Sequence, residues 1–193
     1  MPQGGRPPAE RDVHSFEGTL VAPSEVVLDT SFVVDALVTT QSRHQACRLF
    51  LDTIAATGST VYFNNLLVVE LWEAAYAIKL KELHGGAWRK HRHDGRTRRP
   101  AKQLRLKMSE AWSTALEALN TVAIDLGEVS SAAPLFMTYG LSAADAVHAA
   151  TAAYVNVRPF VTLDHHFSHV PGRLLELWVP QNRVRPCREA RRR

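Results

Sequence analysis

Short apolar runs of strand length alternate along the chain with longer segments in which apolar residues recur at helical spacing. The predicted strands cover 26–28, 60–63, 122–124 and 159–163, with 174–179 as a fifth candidate. The predicted helices cover 32–38, 42–57, 64–83, 101–120, 128–139 and 143–155. Strands separated by helices are typical of α/β proteins, in which helices cover both faces of a parallel sheet.

The chain of 193 residues can form one domain with a full core, and its 46% hydrophobic and 22% charged residues exclude wholesale disorder. We predict a flexible leader over 1–22, a folded domain over 23–180 with a basic insertion at 84–107, and a basic tail over 181–193. No apolar run approaches the roughly 18 residues that span a bilayer, and the N-terminus lacks the apolar core of a signal peptide. We therefore expect a cytoplasmic protein without a membrane partner.

The formal net charge of +4 conceals two basic segments on an acidic body. Residues 89–107 carry nine Lys and Arg against Asp94 alone, and residues 183–193 carry six Arg against Glu189. The rest of the chain carries 8 basic and 17 acidic residues, a net charge of −9. This division disfavours a featureless structural module, but by itself it does not identify a partner.

Four acidic residues lie in apolar surroundings, where an unpaired charge is costly. They are Asp29 and Asp164, each after an apolar strand, Glu70 within an apolar helix, and Asp145 near the start of another helix. Sites in parallel sheets lie outside the carboxyl ends of the strands, so acids that leave two strands can converge there. A carboxylate cluster without neighbouring basic residues suits Mg²⁺ or Mn²⁺, which can polarise a phosphate and activate a water.

Each aspartate also has an ordinary structural explanation. Asp29 and Asp164 could cap the helices that follow them, and Ser142 to Asp145 matches a capping box with Asp in place of Glu. Taken singly, these explanations are at least as good as a functional one. Glu70 differs, because it lies inside the helix, six and five residues after the cap candidates Asn64 and Asn65, and has no cationic side chain after it until Lys79.

The order and the local sequence of these acids resemble a known family. The residues that carry the resemblance are Asp29-Thr30-Ser31 after the first strand, Glu70 in an apolar helix, the segment LSAADAVHAA at 141–150 and Val161-Thr162-Leu163-Asp164. Over about residues 26–179 the chain resembles the PIN domain, and especially the VapC-like ribonuclease toxins of bacterial toxin–antitoxin pairs. The leader and the basic segment 84–107 are longer than is usual in such toxins.

This resemblance implies a three-layer α/β/α sandwich with a central, mostly parallel sheet of four to five strands. It also implies an acidic pocket that binds Mg²⁺ or Mn²⁺ and hydrolyses RNA phosphodiester bonds. The catalytic and metal-binding residues would be Asp29, Glu70, Asp145 and Asp164. Thr30 or Ser31 would supply the hydroxyl after the first aspartate, and Thr162 would supply the hydroxyl before the last.

The basic insertion is predicted to contact the RNA substrate, because arginine suits phosphate and a polyanion that approaches an acidic body needs compensating cations. The predicted RNA-binding residues are Arg89, Lys90, Arg92, Arg96, Arg98 and Arg99. A solvated loop without a ligand would explain the same residues. The resemblance further implies a cognate antitoxin and a homodimer, for which Trp72, Tyr76 and Leu80 offer apolar surface; core packing explains these three equally well.

Two other functions stay open at the level of sequence. Another Mg²⁺-dependent phosphohydrolase, such as a haloacid-dehalogenase-like phosphatase, needs Asp-x-Asp after its first strand, whereas Asp29-Thr30-Ser31 supplies a single acid. A non-catalytic RNA- or protein-binding module would use the acids only as helix caps. Near the four acids, His148 is predicted to be a packed core histidine, His165 and His166 surface residues, and Glu73 secondary to Glu70.

Overall fold

The computed structural model describes residues 12–184, which form one sheet of six strands. The strands are β1 (Val13–Ser15), β2 (Glu25–Leu28), β3 (Thr60–Asn64), β4 (Asn120–Ile124), β5 (Pro159–Val161) and β6 (Glu176–Val179). Their order in the sheet is β1-β6-β5-β2-β3-β4, and every neighbouring pair is parallel. The predicted α/β class is confirmed, and the sheet has more strands than the four to five expected.

The helices of the described residues are α1 (Thr30–Leu37), α2 (His44–Ala56), α3 (Leu66–His84), α4 (Arg98–Ala118), α5 (Leu126–Val129), α6 (Ala133–Met137) and α7 (Ala143–Tyr154). Short 3-10 turns cover Gly85–His91, Gly95–Thr97, His165–His169 and Gln181–Arg183. None of the helices within 12–184 combines the length and the apolar character needed to cross a membrane.

Alternate residues of each strand point to opposite faces of the sheet, so the strands contribute to two separate cores. In β2, Val26 and Leu28 belong to the core beneath α1, α2, α3 and α4. Val27, between them, belongs to the core beneath α5, α6 and α7. All three side chains are fully buried. The protein is therefore a three-layer α/β/α sandwich, as the resemblance implies.

The N-terminal segment differs from the prediction. Residues 1–11 of the predicted leader lie outside the described residues, but residues 12–22 are part of the domain. The strand β1 pairs with β6, and Phe16 packs against Phe32 and Phe50 with ring centroids 5.5 and 5.4 Å away. A three-residue strand with one apolar side chain carries too little pattern to be recognised in sequence, so the predicted leader extends too far.

Replacing Phe16 tests whether residues 12–22 belong to the cooperatively folded unit. We expect Phe16→Ala to lower the free energy of unfolding by about 3–5 kcal/mol, because it removes a fully buried ring from a packed aromatic cluster. Urea denaturation followed by circular dichroism measures the loss. The control is Leu20→Ala, whose side chain is 88% exposed and whose loss should change the stability by less than about 0.5 kcal/mol. Equal stability of the two variants would contradict the assignment.

Two helices have other boundaries than predicted. The segment 128–139 forms two short helices, α5 and α6, instead of one. Pro134 lies in the first turn of α6, where its missing N–H is tolerated, whereas it would interrupt a continuous helix. The helix predicted over 101–120 already begins at Arg98, and the buried side chains of Thr97 and Ala101 anchor its start.

Only residues 85–97 of the basic segment 84–107 connect α3 to α4, and residues 98–107 form the first half of α4. Gly85, with φ of 54°, ends α3 in a conformation that favours glycine. Asp94 then accepts hydrogen bonds from the backbone N–H of Arg96 at 2.9 Å and from His84 Nε2 at 2.9 Å. These contacts tie the turn to the end of α3. In the predicted tail, residues 185–193 lie outside the described residues.

Candidate active site

Three neighbouring strands bring polar residues to one edge of the sheet. Asp29 directly follows β2, Asn64 ends β3 and Thr162 directly follows β5. Because β5, β2 and β3 are adjacent and parallel, their carboxyl ends lie side by side. The N-terminal part of α3, which carries Glu70, and α7, which carries Asp145, complete this edge.

Asp29 lies at the centre of this edge and is only 4% exposed. Its Oδ2 accepts hydrogen bonds from the hydroxyl of Ser31 and, at 2.7 Å, from Thr162 Oγ1. Asp29 occupies the N-cap position of α1, yet its carboxylate makes no capping hydrogen bond, so capping does not explain it. Burial raises the pKa of Asp29 above its usual value, although His148 and the two hydroxyls act in the opposite direction.

Glu70 is held by two donors from other elements. Its Oε2 accepts hydrogen bonds from Thr30 Oγ1 and, at 2.6 Å, from Nε2 of His148, which is 1% exposed. Burial alone would raise the pKa of Glu70, but the hydrogen bonds from His148 and Thr30 and the charge of His148 outweigh it and lower the pKa. The structure therefore favours the ionised carboxylate.

Asn64 determines which ring nitrogen of His148 carries the proton when the imidazole is neutral. Asn64 Oδ1 accepts from the backbone N–H of Leu66 at 3.0 Å, which fixes the orientation of the amide. The amide nitrogen then lies 3.1 Å from His148 Nδ1 and 2.8 Å from Thr151 Oγ1, whose own hydroxyl donates to the Val147 carbonyl. Asn64 therefore donates to Nδ1, so a neutral His148 carries its proton on Nε2 and donates it to Glu70.

Asp145 and Asp164 make the capping contacts that the sequence allows. Ser142 Oγ accepts from the backbone N–H of Asp145 at 3.2 Å and donates to Asp145 Oδ2 at 2.7 Å. Asp164 Oδ1 accepts from the backbone N–H of His166 at 2.8 Å. The backbone N–H of Asp164 donates to Thr162 Oγ1 at 2.9 Å, which links it to the Asp29 cluster. Asp145 and Asp164 therefore both take part in capping contacts and, at the same time, lie beside the acidic edge of the sheet.

The four carboxylates share one feature that suits a divalent cation. In residues 12–184, one oxygen of each accepts the hydrogen bonds described above, while no protein donor reaches the other: Asp29 Oδ1, Glu70 Oε1, Asp145 Oδ1 and Asp164 Oδ2. Within the same range no Lys or Arg pairs with any of them. Free carboxylate oxygens without a competing ammonium or guanidinium are the ligands that Mg²⁺ and Mn²⁺ prefer.

The spacing of the four acids is wider than in a closed metal site. Burial alone would lower the pKa of His148, but its hydrogen bond to Glu70 and the charges of Asp29, Glu70 and Asp145 outweigh burial and raise the pKa. Nevertheless, no three of the four bring ligand atoms within 4.8 Å of one another in the described part of the chain. Mutual repulsion of like charges favours such a spacing.

Two other groups of side chains have their ligand atoms within 4.8 Å of one another. Asp164, His165 and His166 form one of them at the acidic edge, with His166 Nδ1 2.9 Å from Asp164 Oδ1. The other group, Asp12, His14 and Glu176, lies at the β1–β6 edge of the sheet. There Asp12 Oδ2 already pairs with Arg158 at 2.7 Å.

The sequence did not identify Asn64 as a residue of this site, because its pattern marked Asn64 only as a possible helix cap. His148 is buried, as predicted, and it also contacts Glu70. The rule for strand ends, applied to β3 as it was to β2 and β5, would have pointed to Asn64. Glu73 is exposed and pairs with Arg92 at 2.7 Å, which places it outside the cluster.

A family model of the PIN domain matches residues 26–173, from β2 through β5 and including all four acids. The chain belongs to the PIN domain family. PIN domains are typically metal-dependent nucleases, and PIN nucleases act on RNA. Comparison with proteins of curated function gives no match to this chain. The edge strand β1 and its partner β6 belong to the same sheet and lie outside the matched range.

Proposed function

We propose that this PIN domain protein is a ribonuclease that hydrolyses RNA phosphodiester bonds with Mg²⁺ or Mn²⁺. The proposal rests on the hydrogen bonding of the four carboxylates at one edge of the sheet. One oxygen of each carboxylate accepts hydrogen bonds from the protein, and the other oxygen accepts none from residues 12–184. Carboxylates that no Lys or Arg neutralises are costly to gather at one edge, above all the buried Asp29, unless a cation is bound there. Asp29, Glu70, Asp145 and Asp164 would hold the ion.

The side chains around the acids have positioning roles in this proposal. Ser31 and Thr162 fix the Asp29 carboxylate from two directions, and both hydroxyls are neutral, so they leave its charge available for a metal. His148, oriented by Asn64, does the same for Glu70. Partners of this kind orient metal ligands and tune their basicity.

The proposed reaction is in-line attack of a water oxygen on phosphorus, with cleavage of the opposite P–O bond and no covalent protein intermediate. The bound ion would polarise the scissile phosphate and lower the pKa of the water. Glu70 or Asp145 orients this water through its free oxygen. The attacking water releases one proton and its oxygen stays on the phosphate, while the departing oxygen takes up one proton and leaves as a hydroxyl.

The first test of the proposal is the metal dependence of RNA cleavage. The purified protein should cleave a labelled single-stranded RNA in the presence of Mg²⁺ or Mn²⁺, and EDTA should reduce the rate to background, because the free carboxylates alone cannot stabilise charge on the phosphate. Gel electrophoresis of the products measures the rate, with DNA of the same sequence as the comparison substrate. Metal-independent cleavage would contradict the proposal, and absence of cleavage with retained RNA binding would favour a non-catalytic module.

We further propose the biological setting that the VapC-like sequence motifs imply. The protein would be a cytoplasmic toxin that a cognate antitoxin holds in check, and it would form a homodimer. The basic insertion, with Arg89, Lys90, Arg92, Arg96, Arg98 and Arg99, would contact the RNA. Growth arrest on expression, relieved by co-expression of an adjacent small open reading frame, is the observation that would identify such a pair.

A further inference from the structure

A groove runs along the surface between α3 and α4. Its main cavity, of about 460 Å³, is lined by Trp72, Tyr76, Arg98, Ala101, Lys102 and Arg105. A second cavity of about 310 Å³ continues on the other side of Tyr76 towards Trp88 and Arg92. Two aromatic side chains and three cations therefore face the main cavity.

The three cations of the main cavity lie on one face of α4, at positions i, i+4 and i+7. Arg98, Lys102 and Arg105 form no ion pair with any carboxylate of residues 12–184. In contrast, Arg92 pairs with Glu73 at 2.7 Å and Arg96 pairs with Asp94 at 2.8 Å. All three cations that line the main cavity are therefore free to pair with a ligand, whereas two of the arginines of the preceding turn are already neutralised.

The aromatic wall of the groove is accessible to a ligand. Trp72 is 47% exposed, and the guanidinium of Arg105 lies 4.7 Å from the centre of its ring. The Tyr76 hydroxyl donates to the Arg92 carbonyl at 2.8 Å, which fixes this ring between the two cavities. Leu80, by comparison, is fully buried, so core packing explains that residue but not Trp72.

The groove is close to the acidic edge. Trp72 lies two residues after Glu70 on α3, which places the two side chains about 200° apart around the helix at nearly the same height. The exposed face with Val69 and Glu73 separates them. Since a helix with its side chains is about 10–12 Å wide, a strand that contacts Glu70 reaches Trp72 after a few nucleotides.

We infer that the α3–α4 groove is a binding site for single-stranded RNA, in which Trp72 stacks on a base and Arg98, Lys102 and Arg105 contact successive phosphates. The inference rests on the proposed function and adds a location for the substrate away from the acids. The three cations span about 10 Å along α4, a distance over which a single strand presents more than one phosphate. An exposed aromatic ring among unpaired cations favours a nucleic-acid strand over an acidic polypeptide, because bases stack on aromatic faces.

The experiment measures binding of a fluorescein-labelled 15-nucleotide single-stranded RNA by fluorescence anisotropy, in EDTA, at several salt concentrations. The variant Arg98→Gln/Lys102→Gln/Arg105→Gln should bind about 10- to 100-fold more weakly at 0.1 M salt. The slope of log K against log salt should fall by about 2, since each phosphate contact on a single strand contributes about 0.7.

The matched control removes the same charge elsewhere. Arg48, Arg158 and Arg173 are also exposed, and Arg158 and Arg173 flank β5 and β6 at the edge opposite the carboxyl ends of the strands. We expect Arg48→Gln/Arg158→Gln/Arg173→Gln to keep at least half of the affinity and the original slope within 0.5. An equal loss in both triple variants would mean non-specific attraction and would overturn the site. Thermal unfolding curves of both variants check that they are folded.

Trp72→Leu separates stacking from charge. This variant should bind the RNA about tenfold more weakly with an unchanged salt slope, since it removes a stacking surface but no cation. Unchanged affinity would overturn the role of Trp72. A labelled poly-glutamate peptide of equal length tests the competing occupant: if the peptide binds, the groove triple variant abolishes that binding, and RNA affinity is unaffected, the RNA assignment is overturned.

These results are distinguishable from failure of the proposed function, because the binding is measured without metal. Groove-dependent RNA binding by a protein that never cleaves RNA would contradict the ribonuclease proposal and leave the binding site in place. Metal-dependent cleavage with groove-independent binding would contradict only the site.

Discussion

Asp29→Asn is expected to lower the rate of metal-dependent RNA cleavage by about 10³-fold or more while leaving the fold intact. The carboxylate is central to the acidic edge, and loss of its charge removes several kcal/mol of the stabilisation that a bound ion provides, at about 1.4 kcal/mol for each factor of ten. Cleavage rates in Mn²⁺ and Mn²⁺ affinity, followed by isothermal titration calorimetry, measure the effect. Asp145→Asn should produce a loss in the same direction.

The environment of Asp29 explains why the fold should survive this change. Burial raises the pKa of Asp29, which means that the folded protein favours the neutral over the charged side chain relative to the unfolded chain. Ionisation of Asp29 therefore lowers the free energy of unfolding as the pH rises above 3.8, the usual pKa of an aspartate. An asparagine carbonyl can still accept from Ser31 and Thr162, so the melting temperature at neutral pH should be equal or higher.

A matched control for this variant is Asp52→Asn. Asp52 is an exposed residue of α2 that pairs with Arg48 at 3.0 Å, and its neutralisation changes the net charge by the same amount. We expect its cleavage rate and Mn²⁺ affinity to be those of the unchanged protein. Full cleavage activity of both Asp29→Asn and Asp145→Asn would refute the assignment of the acids. If the protein arrests growth as a toxin, Asp29→Asn should also relieve the arrest.

His148→Leu is expected to lower Mn²⁺ affinity or the cleavage rate by about 10- to 100-fold, the usual effect of removing a residue that orients a metal ligand. Leucine has a similar size but cannot donate to Glu70, so the carboxylate keeps only the Thr30 hydroxyl of the two donors that fix it. Titration calorimetry with Mn²⁺, without RNA, separates the effect on the ligand from any effect on substrate binding.

Two companion variants distinguish a positioning role from simple packing. His148→Gln restores a donor near the position of Nε2 and should recover most of the Mn²⁺ affinity. Asn64→Leu leaves His148 in place but removes the donor to Nδ1, so the ring can adopt the tautomer in which Nε2 has a lone pair towards Glu70. It should therefore resemble His148→Leu in Mn²⁺ affinity.

The control for these variants is His169→Leu, since His169 is an exposed histidine in the 3-10 turn after β5. It should leave Mn²⁺ affinity unchanged. If His148→Gln and His148→Leu lose affinity equally while both stay folded, hydrogen bonding to Glu70 is not the role of the histidine.

Much of the fold was predictable because the local spacing of apolar residues indicates most of its strands and helices. Five of the six strands and the long helices have the apolar spacing expected of a parallel sheet with helices on both faces. The failures have local causes as well. The strand β1 is too short to show a pattern, and Pro134 divides a segment whose apolar spacing looked continuous.

The α3–α4 surface shows a different limit of sequence reasoning. A run of cations indicated contact with a polyanion, but the partners of each cation follow from the path of the chain. Arg92 and Arg96 find carboxylates on α3 and in the preceding turn, whereas Lys102 and Arg105 face the groove beside Trp72. Sequence spacing alone cannot assign these partners, because they depend on how α4 packs on α3.

The sequence by itself determined the sheet edge to which Asp29 and Asp164 belong, and it predicted the four acids and the hydroxyls beside them as site residues. It could do so because parallel strands place their carboxyl ends together whatever the loops between them. Only the tertiary structure decided that His148 donates to Glu70, 78 residues away, and that Asn64, 84 residues from His148, fixes the proton of that histidine. The reason is physical: a hydrogen bond depends on distance and direction in space, and these follow from the packing of α3 and α7 at the sheet edge rather than from any local pattern.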